Sequence, residues 1–269
     1  MTNFKNVVFH CTILLPFAVS LGSATASGLF LDPTWVLTVD QDFTRGDAPS
    51  LYNTYCGAQG NSGGPEINNF SKQNVYWEDG ALTLKFERQA NTSCTGVTRE
   101  YAGAGFAVNS PAATNIAVEV EILATDVYGV SPYATLWPTG GVKPNCGWGA
   151  EDDFFEQDAR TAGHEVQTYH HWTPPPACIH LQHQSFQTIP TIASIYHSYS
   201  VIRDGGTKFF VDGNAQTFSN GQKVISDDFQ NYSMTVQMGI GGNNASMPDD
   251  ARLPAYVRIR RIKIWYKRN

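Results

Sequence analysis

The chain has 269 residues, 16% of them charged, with 18 Lys and Arg against 24 Asp and Glu for a formal net charge of −6. The acidic balance, with no Lys/Arg cluster outside the last residues, argues against a nucleic-acid binder. One large all-β domain fits this length, so no second domain is required.

Residues 1–6 carry Lys5, residues 7–21 form an apolar run, and Ala24, Thr25 and Ala26 give an A-x-A cleavage pattern. This predicts a secretory leader, residues 1–26, removed after Ala26. His10, Cys11 and Pro16 interrupt the run, which is shorter than the roughly 20 apolar residues of a bilayer span, so no membrane association is expected after cleavage. The remaining domain, residues 27–269, is then secreted, or periplasmic in a bacterial host. It keeps Cys56, Cys94, Cys146 and Cys178, an even number that in an exported chain favours disulfides over a metal site. Order along the chain and loop context favour Cys56–Cys94 and Cys146–Cys178 among the three connectivities. Triplets beginning at Asn69, Asn91, Asn231 and Asn244 read as glycan acceptors if the secretory route is eukaryotic.

Strand periodicity runs through the rest. Residues 81–87, 116–122, 208–211, 233–238 and 256–265 alternate apolar with polar side chains, the pattern of half-buried strands. Turn signals lie between them, among them Asp79-Gly80, Asp204-Gly205-Gly206 and Asp212-Gly213. No long stretch keeps a helical period, and no repeat of 40–50 residues suggests a propeller. The expected fold is all-β, an antiparallel β-sandwich of the concanavalin-like jelly-roll kind. Residues 172–178, with three consecutive prolines, read as a rigid surface loop. The basic residues of the last strand mostly alternate with Val257, Ile259, Ile262 and Ile264, which predicts a solvated face and no nucleic-acid partner.

Between Gly149 and Asp158 the sequence GAEDDFFEQD places Glu151, Asp152, Asp153, Glu156 and Asp158 around two phenylalanines. On a strand, Glu151 and Asp153 share a face, whereas Glu156, an odd step of three further on, falls on the other. A β-bulge at Phe154 and Phe155 would return Glu156 to the face of the first two and send both aromatics to the core. Like charges on one face raise the pKa of at least one member. Glycoside hydrolysis needs that division: one protonated acid and one ionised acid, about 5–5.5 Å apart in a retaining enzyme. With Cα atoms roughly 13 Å apart along the strand, at about 3.3 Å per residue, the side chains must lean together over Asp153. An acidic surface strand or a calcium-binding loop uses the same residue types, and the residues alone leave both open, although no EF-hand pattern is present.

Glu151-x-Asp153-x-x-Glu156 resembles the E-x-D-x-x-E signature of glycoside hydrolase family 16, the laminarinase-like group. Residues 74–84 (NVYWEDGALTL), residues 133–138 (YATLWP), His197-Ser198-Tyr199 followed by residues 209–213 (FFVDG), and the closing residues 256–266 are similar to further family segments, in the same order. Ala150, Asp152 and Arg203 depart from the family pattern. The resemblance implies a jelly-roll fold and a retaining mechanism, with Glu151 as nucleophile, Glu156 as general acid/base and Asp153 adjusting the nucleophile's charge. It requires no cofactor or catalytic metal, and it leaves room for a structural calcium ion with no ligands assigned.

A sugar chain packs its C–H faces on aromatic rings beside a few placed polar groups. Trp137, Trp148 and Trp172, with Tyr133, are the candidate platforms, whereas Trp35 and Trp265 read as core. The resemblance implies a substrate-contacting histidine on the strand after the acids, and His170 is taken over His171. The expectation is therefore a monomeric, exported endo-glycosidase with a polysaccharide as partner, most plausibly a β-1,3- or β-1,3/1,4-glucan. A transglycosylase, a non-catalytic lectin on the same fold and a polysaccharide lyase are the alternatives.

Overall fold

The computed structural model describes residues 32–57, 67–139, 150–158, 164–173, 179–226, 232–242 and 246–268. The expected leader, Cys146, Trp148, Cys178, Asn231 and Asn244 lie outside these residues.

Two large sheets form a sandwich. The first runs in the order β16 (Asn214–Ala215), β15 (Thr207–Val211), β14 (His197–Arg203), β9 (Ile116–Leu123), β18 (Ala255–Lys267), β5 (Ala81–Phe86) and β4 (Val75–Glu78), and β1 (Trp35–Asp42) also pairs with β18. The second runs β13 (Leu181–Thr188), β12 (Glu165–Trp172), β11 (Ala150–Gln157), β10 (Val130–Pro138), β17 (Met234–Gly242), β8 (Tyr101–Val108) and β2 (Tyr52–Thr54). The short β3 (Asn68–Phe70) lies parallel to β8, and β6 (Asn91–Thr92) pairs with β7 (Thr98–Arg99). β9 beside β18 and β10 beside β17 are neighbours far apart in sequence, which is the wiring of a jelly roll. The expected all-β sandwich is the fold observed.

Local chemistry sets the strand ends. Glu78 pairs with Ala81 and Val211 with Asn214, leaving Asp79-Gly80 and Asp212-Gly213 as two-residue turns. All four residues have positive φ, from 49° to 76°, the geometry of the tight hairpin turns that Asp-Gly favours. Between the sheets, Leu82, Leu84 and Phe86 share one core with Val118, Val120, Ile262 and Ile264, and with Phe106, Leu136, Phe154, Phe155, Val236 and Met238 of the second sheet. Burying each of these large side chains stabilises the fold by roughly 1.5–3 kcal/mol.

On the outer face of the first sheet the basic residues of β18 meet acids. Arg261 lies 2.7 Å from Asp40, Arg260 2.7 Å from Glu121 and Lys263 2.9 Å from Glu119. Trp35 and Trp265 are not core residues: both are half-buried on that face, with the Lys267 and Lys263 ammonium groups 5.9 Å and 5.8 Å from their rings. Cys56 and Cys94 form the expected disulfide, closing a loop with a sequence separation of 38 residues. Asn69 is wholly buried and its amide donates to the carbonyls of Asn91 and Val97, so it is not a glycan acceptor.

Candidate active site

Across β10, Leu136 pairs with Asp152 and Thr135 with Asp153, yet the next residues, Ala134 and Tyr133, pair with Phe155 and Glu156. Across β12, Tyr169 pairs with Asp153 and Gln167 with Glu156. Three steps along β11 therefore match two on each neighbour, which is a β-bulge of one extra residue at Phe154 and Phe155. Both phenylalanines are fully buried in the core, Phe155 with its ring 4.5 Å from that of Tyr199 on the first sheet. Parity is restored beyond the bulge, and Glu151, Asp153 and Glu156 share the outer face of the second sheet.

Around them that face is polar and aromatic. Tyr133, Thr135 and Trp137 line it from β10, and Gln167, Tyr169 and His171 from β12. His171 Nε2 lies 3.3 Å from Asp153 Oδ2, and its Nδ1 lies 3.0 Å from His180 Nε2. This arrangement suits a His171 whose Nε2–H points to Asp153 and whose Nδ1 accepts from His180. Burial first, and then electrostatic repulsion between the two rings should His171 gain a proton, pull the His180 pKa down. Ligand atoms of Glu151, Asp153 and His171 lie within 4.8 Å of one another, so these two carboxylates and one imidazole are also the residues that could hold a divalent ion.

Tyr133 lies flat over its β17 partner Gly239, where any Cβ would stand 2.6 Å from the phenol oxygen. Glycine there is what lets the ring reach along the sheet. Burial and the nearby Tyr55, Glu151 and Asp153 all push the Tyr133 pKa up, so the phenol keeps its proton and stays a hydrogen-bond donor beside the acids. On the other flank, Tyr169 stacks on His171 at 5.0 Å and meets Phe186 of β13 edge-on at 6.4 Å. The Tyr169 hydroxyl donates to Gln167 Oε1. Phe186 is 49% exposed on the acid-bearing face, since it pairs with Gln167, the partner of Glu156.

The opposite face of β11 and β12 points between the sheets, and two sequence expectations end there. His170 is fully buried with its Nδ1 2.5 Å from Asp152 Oδ1, so it is not a substrate contact; His171 is the histidine beside the acids. Trp172 shares His170's face, its ring 5.4 Å from His170 and 5.0 Å from His183, so it is not a platform beside the acids. Period two from the inward Val166 puts Thr168, His170 and Trp172 inward together. Tyr133 and Trp137 lie on the face expected of them, and Trp148 is outside the described residues. Tyr169, Gln167 and Phe186 were not singled out in the sequence; their signal is cross-strand register with the acids, which a single strand does not carry.

No protein-family model matches the sequence, and no curated protein matches it. Solved structures do. The chain is similar to SCLam, a non-specific endo-β-1,3(4)-glucanase from family GH16, with a TM-score of 0.74 at 17% identity over 89% of this chain and 94% of that one. LamAcat from Zobellia galactanivorans gives a TM-score of 0.72 at 17% identity over 86% and 98%. The laminarinase catalytic domain from Thermotoga maritima gives 0.67 at 18% over 87% and 99%. Over most of its length, the chain thus has the jelly-roll fold of family 16 laminarinases and endo-β-glucanases.

Proposed function

We propose that the protein is a secreted, retaining endo-glycosidase of the family 16 kind that hydrolyses internal β-1,3 or mixed β-1,3/1,4 linkages of a glucan. The observation that carries this reading is the bulge, which brings Glu151, Asp153 and Glu156 to one face with aromatic side chains on both flanks. The carboxylate of Glu151 attacks the anomeric carbon while the carboxylic acid of Glu156 protonates the departing glycosidic oxygen. Water, deprotonated by Glu156, then displaces Glu151 and restores both groups. Asp153, level with Thr135 on one side and Tyr169 on the other, stands between the two and can share a proton with the nucleophile. The names of the similar solved structures, laminarinase and endo-β-1,3(4)-glucanase, favour a glucan as substrate. The Cys56–Cys94 bridge supports an oxidising, extracytoplasmic location. A reducing-end assay on a polysaccharide panel tests the proposal. The wild-type protein should release new reducing ends from a β-glucan, and Glu151→Gln should abolish release while melting as the wild type does. Binding without release by the wild-type protein, or full activity in the variant, would overturn it.

A further inference from the structure

Behind the outer-face acids lies a second charged group that no substrate can reach. Asp152 sits between Glu151 and Asp153 in sequence, with its side chain turned inward. Its Oδ2 accepts from Arg203 Nη1 at 2.8 Å and its Oδ1 lies 2.5 Å from His170 Nδ1. All three side chains are 0% exposed. They come from three strands and both layers: Asp152 from β11, His170 from β12 and Arg203 from β14 of the opposite sheet. The Asp152 carbonyl also accepts from Thr135 Oγ1 of β10 at 3.3 Å.

A buried ion pair is weak support for stability, because desolvating the charges offsets most of their attraction, and well-packed apolar residues in their place are often neutral or better. What such a cluster does supply is direction. A guanidinium N–H on one carboxylate oxygen and an imidazole on the other fix the group in one orientation, whereas an apolar contact tolerates sliding. The fixed residue is flanked on both sides by outer-face acids and is followed at once by the bulge that re-aims Glu156.

We propose that Asp152, Arg203 and His170 form a positioning cluster that clamps β11 to the opposite sheet and so holds Glu151 and Asp153, and the bulge behind them, in reactive geometry. The inference rests on the reading of the site as glycosidic and deepens it. Misplacement of reacting groups by about 1 Å can cost 10²-fold in rate.

The test replaces the whole cluster with apolar residues, Asp152→Leu, His170→Phe and Arg203→Met together, and follows melting temperature, kcat, KM and amide hydrogen exchange at residues 151–153. The expected result is a folded protein with kcat about 100-fold lower, KM within about threefold of the wild type and faster exchange along β11. Arg203→Lys alone, which keeps the charge but not the planar guanidinium, should lower kcat by less than the triple variant does. Should the triple variant not fold, the isosteric Asp152→Asn takes its place under the same measurements. Wild-type kcat and wild-type exchange in a folded variant would overturn the proposal. An inactive wild-type protein would count against the glycosidase reading alone, because exchange at β11 still reports whether the cluster positions the strand.

Discussion

Asp153 and Glu156 are three residues apart on β11 but face Thr135 and Tyr133, only two apart on β10. The extra residue is absorbed by two phenylalanines that both enter the core. The core itself thereby enforces the placement of the acids, since flattening the bulge would require exposing a phenylalanine or burying Glu156.

Glu156 in the acid/base role gives a variant with a distinctive response. Glu156→Ala should lower activity on a glucan by about 10²–10⁴-fold, the usual worth of general acid–base catalysis. Azide, which needs no deprotonation, should restore turnover of an aryl glycoside with a good leaving group and yield a glycosyl azide of retained configuration. Absence of rescue, with the fold intact by circular dichroism, would remove Glu156 from that role.

Phe186 is an exposed aromatic on an otherwise polar stretch of the acid-bearing face, steadied edge-on by Tyr169. As a sugar platform one strand beyond Gln167, it should matter for long chains and little for short ones. Phe186→Ala is expected to raise KM for polymeric glucan by about 3- to 10-fold with kcat unchanged, the worth of one aromatic contact. An unchanged KM for polymer would make Phe186 an ordinary surface residue.

Acid stability follows from carboxylates held below the usual 3.8, two of them beside histidines. Burial pushes the Asp152 carboxyl up, but His170 and Arg203 outweigh it and bring the pKa down. At Asp212 burial is likewise outweighed by His197 and the Ser198 N–H. A carboxylate whose native pKa is depressed contributes stability above its unfolded pKa and loses that contribution as pH falls through the native value. The melting temperature should therefore stay level from about pH 7 to about pH 5 and fall below about pH 4. Asp212→Asn should start lower at neutral pH and fall less on acidification. A melting temperature that rises as pH drops below about 4 would contradict the assignment.

The turns, the strand alternation and the bulge were legible in the sequence because each has a local cause. Asp-Gly pairs specify tight hairpins, and the odd spacing in Glu151-x-Asp153-x-x-Glu156 around Phe154 and Phe155 makes sense on one face only with an extra residue. The facing of β12 was harder. In QTYHHW the polar and aromatic residues do not alternate by hydropathy, and only Val166, before them, marks the inward set that includes His170 and Trp172. Arg203 shows the limit from the other side. Its spacing from Tyr199 and Val201 points inward, its charge points outward, and the conflict resolves only when Asp152 and His170 arrive from the other sheet. Tyr169 and Phe186 join the site through pairing between strands, which no single segment encodes.

The central claim, that Glu151 and Glu156 flank one sugar bond closely enough for a covalent intermediate, is tested most directly by the configuration of the first product. Hydrolysis of a soluble β-glucan oligosaccharide should be followed by proton NMR of the new anomeric signal before mutarotation sets in. Retention, seen as the β-anomer appearing first, is the predicted result. An α-anomer at the earliest time points would mean direct attack by water, and Glu151 would not be the nucleophile.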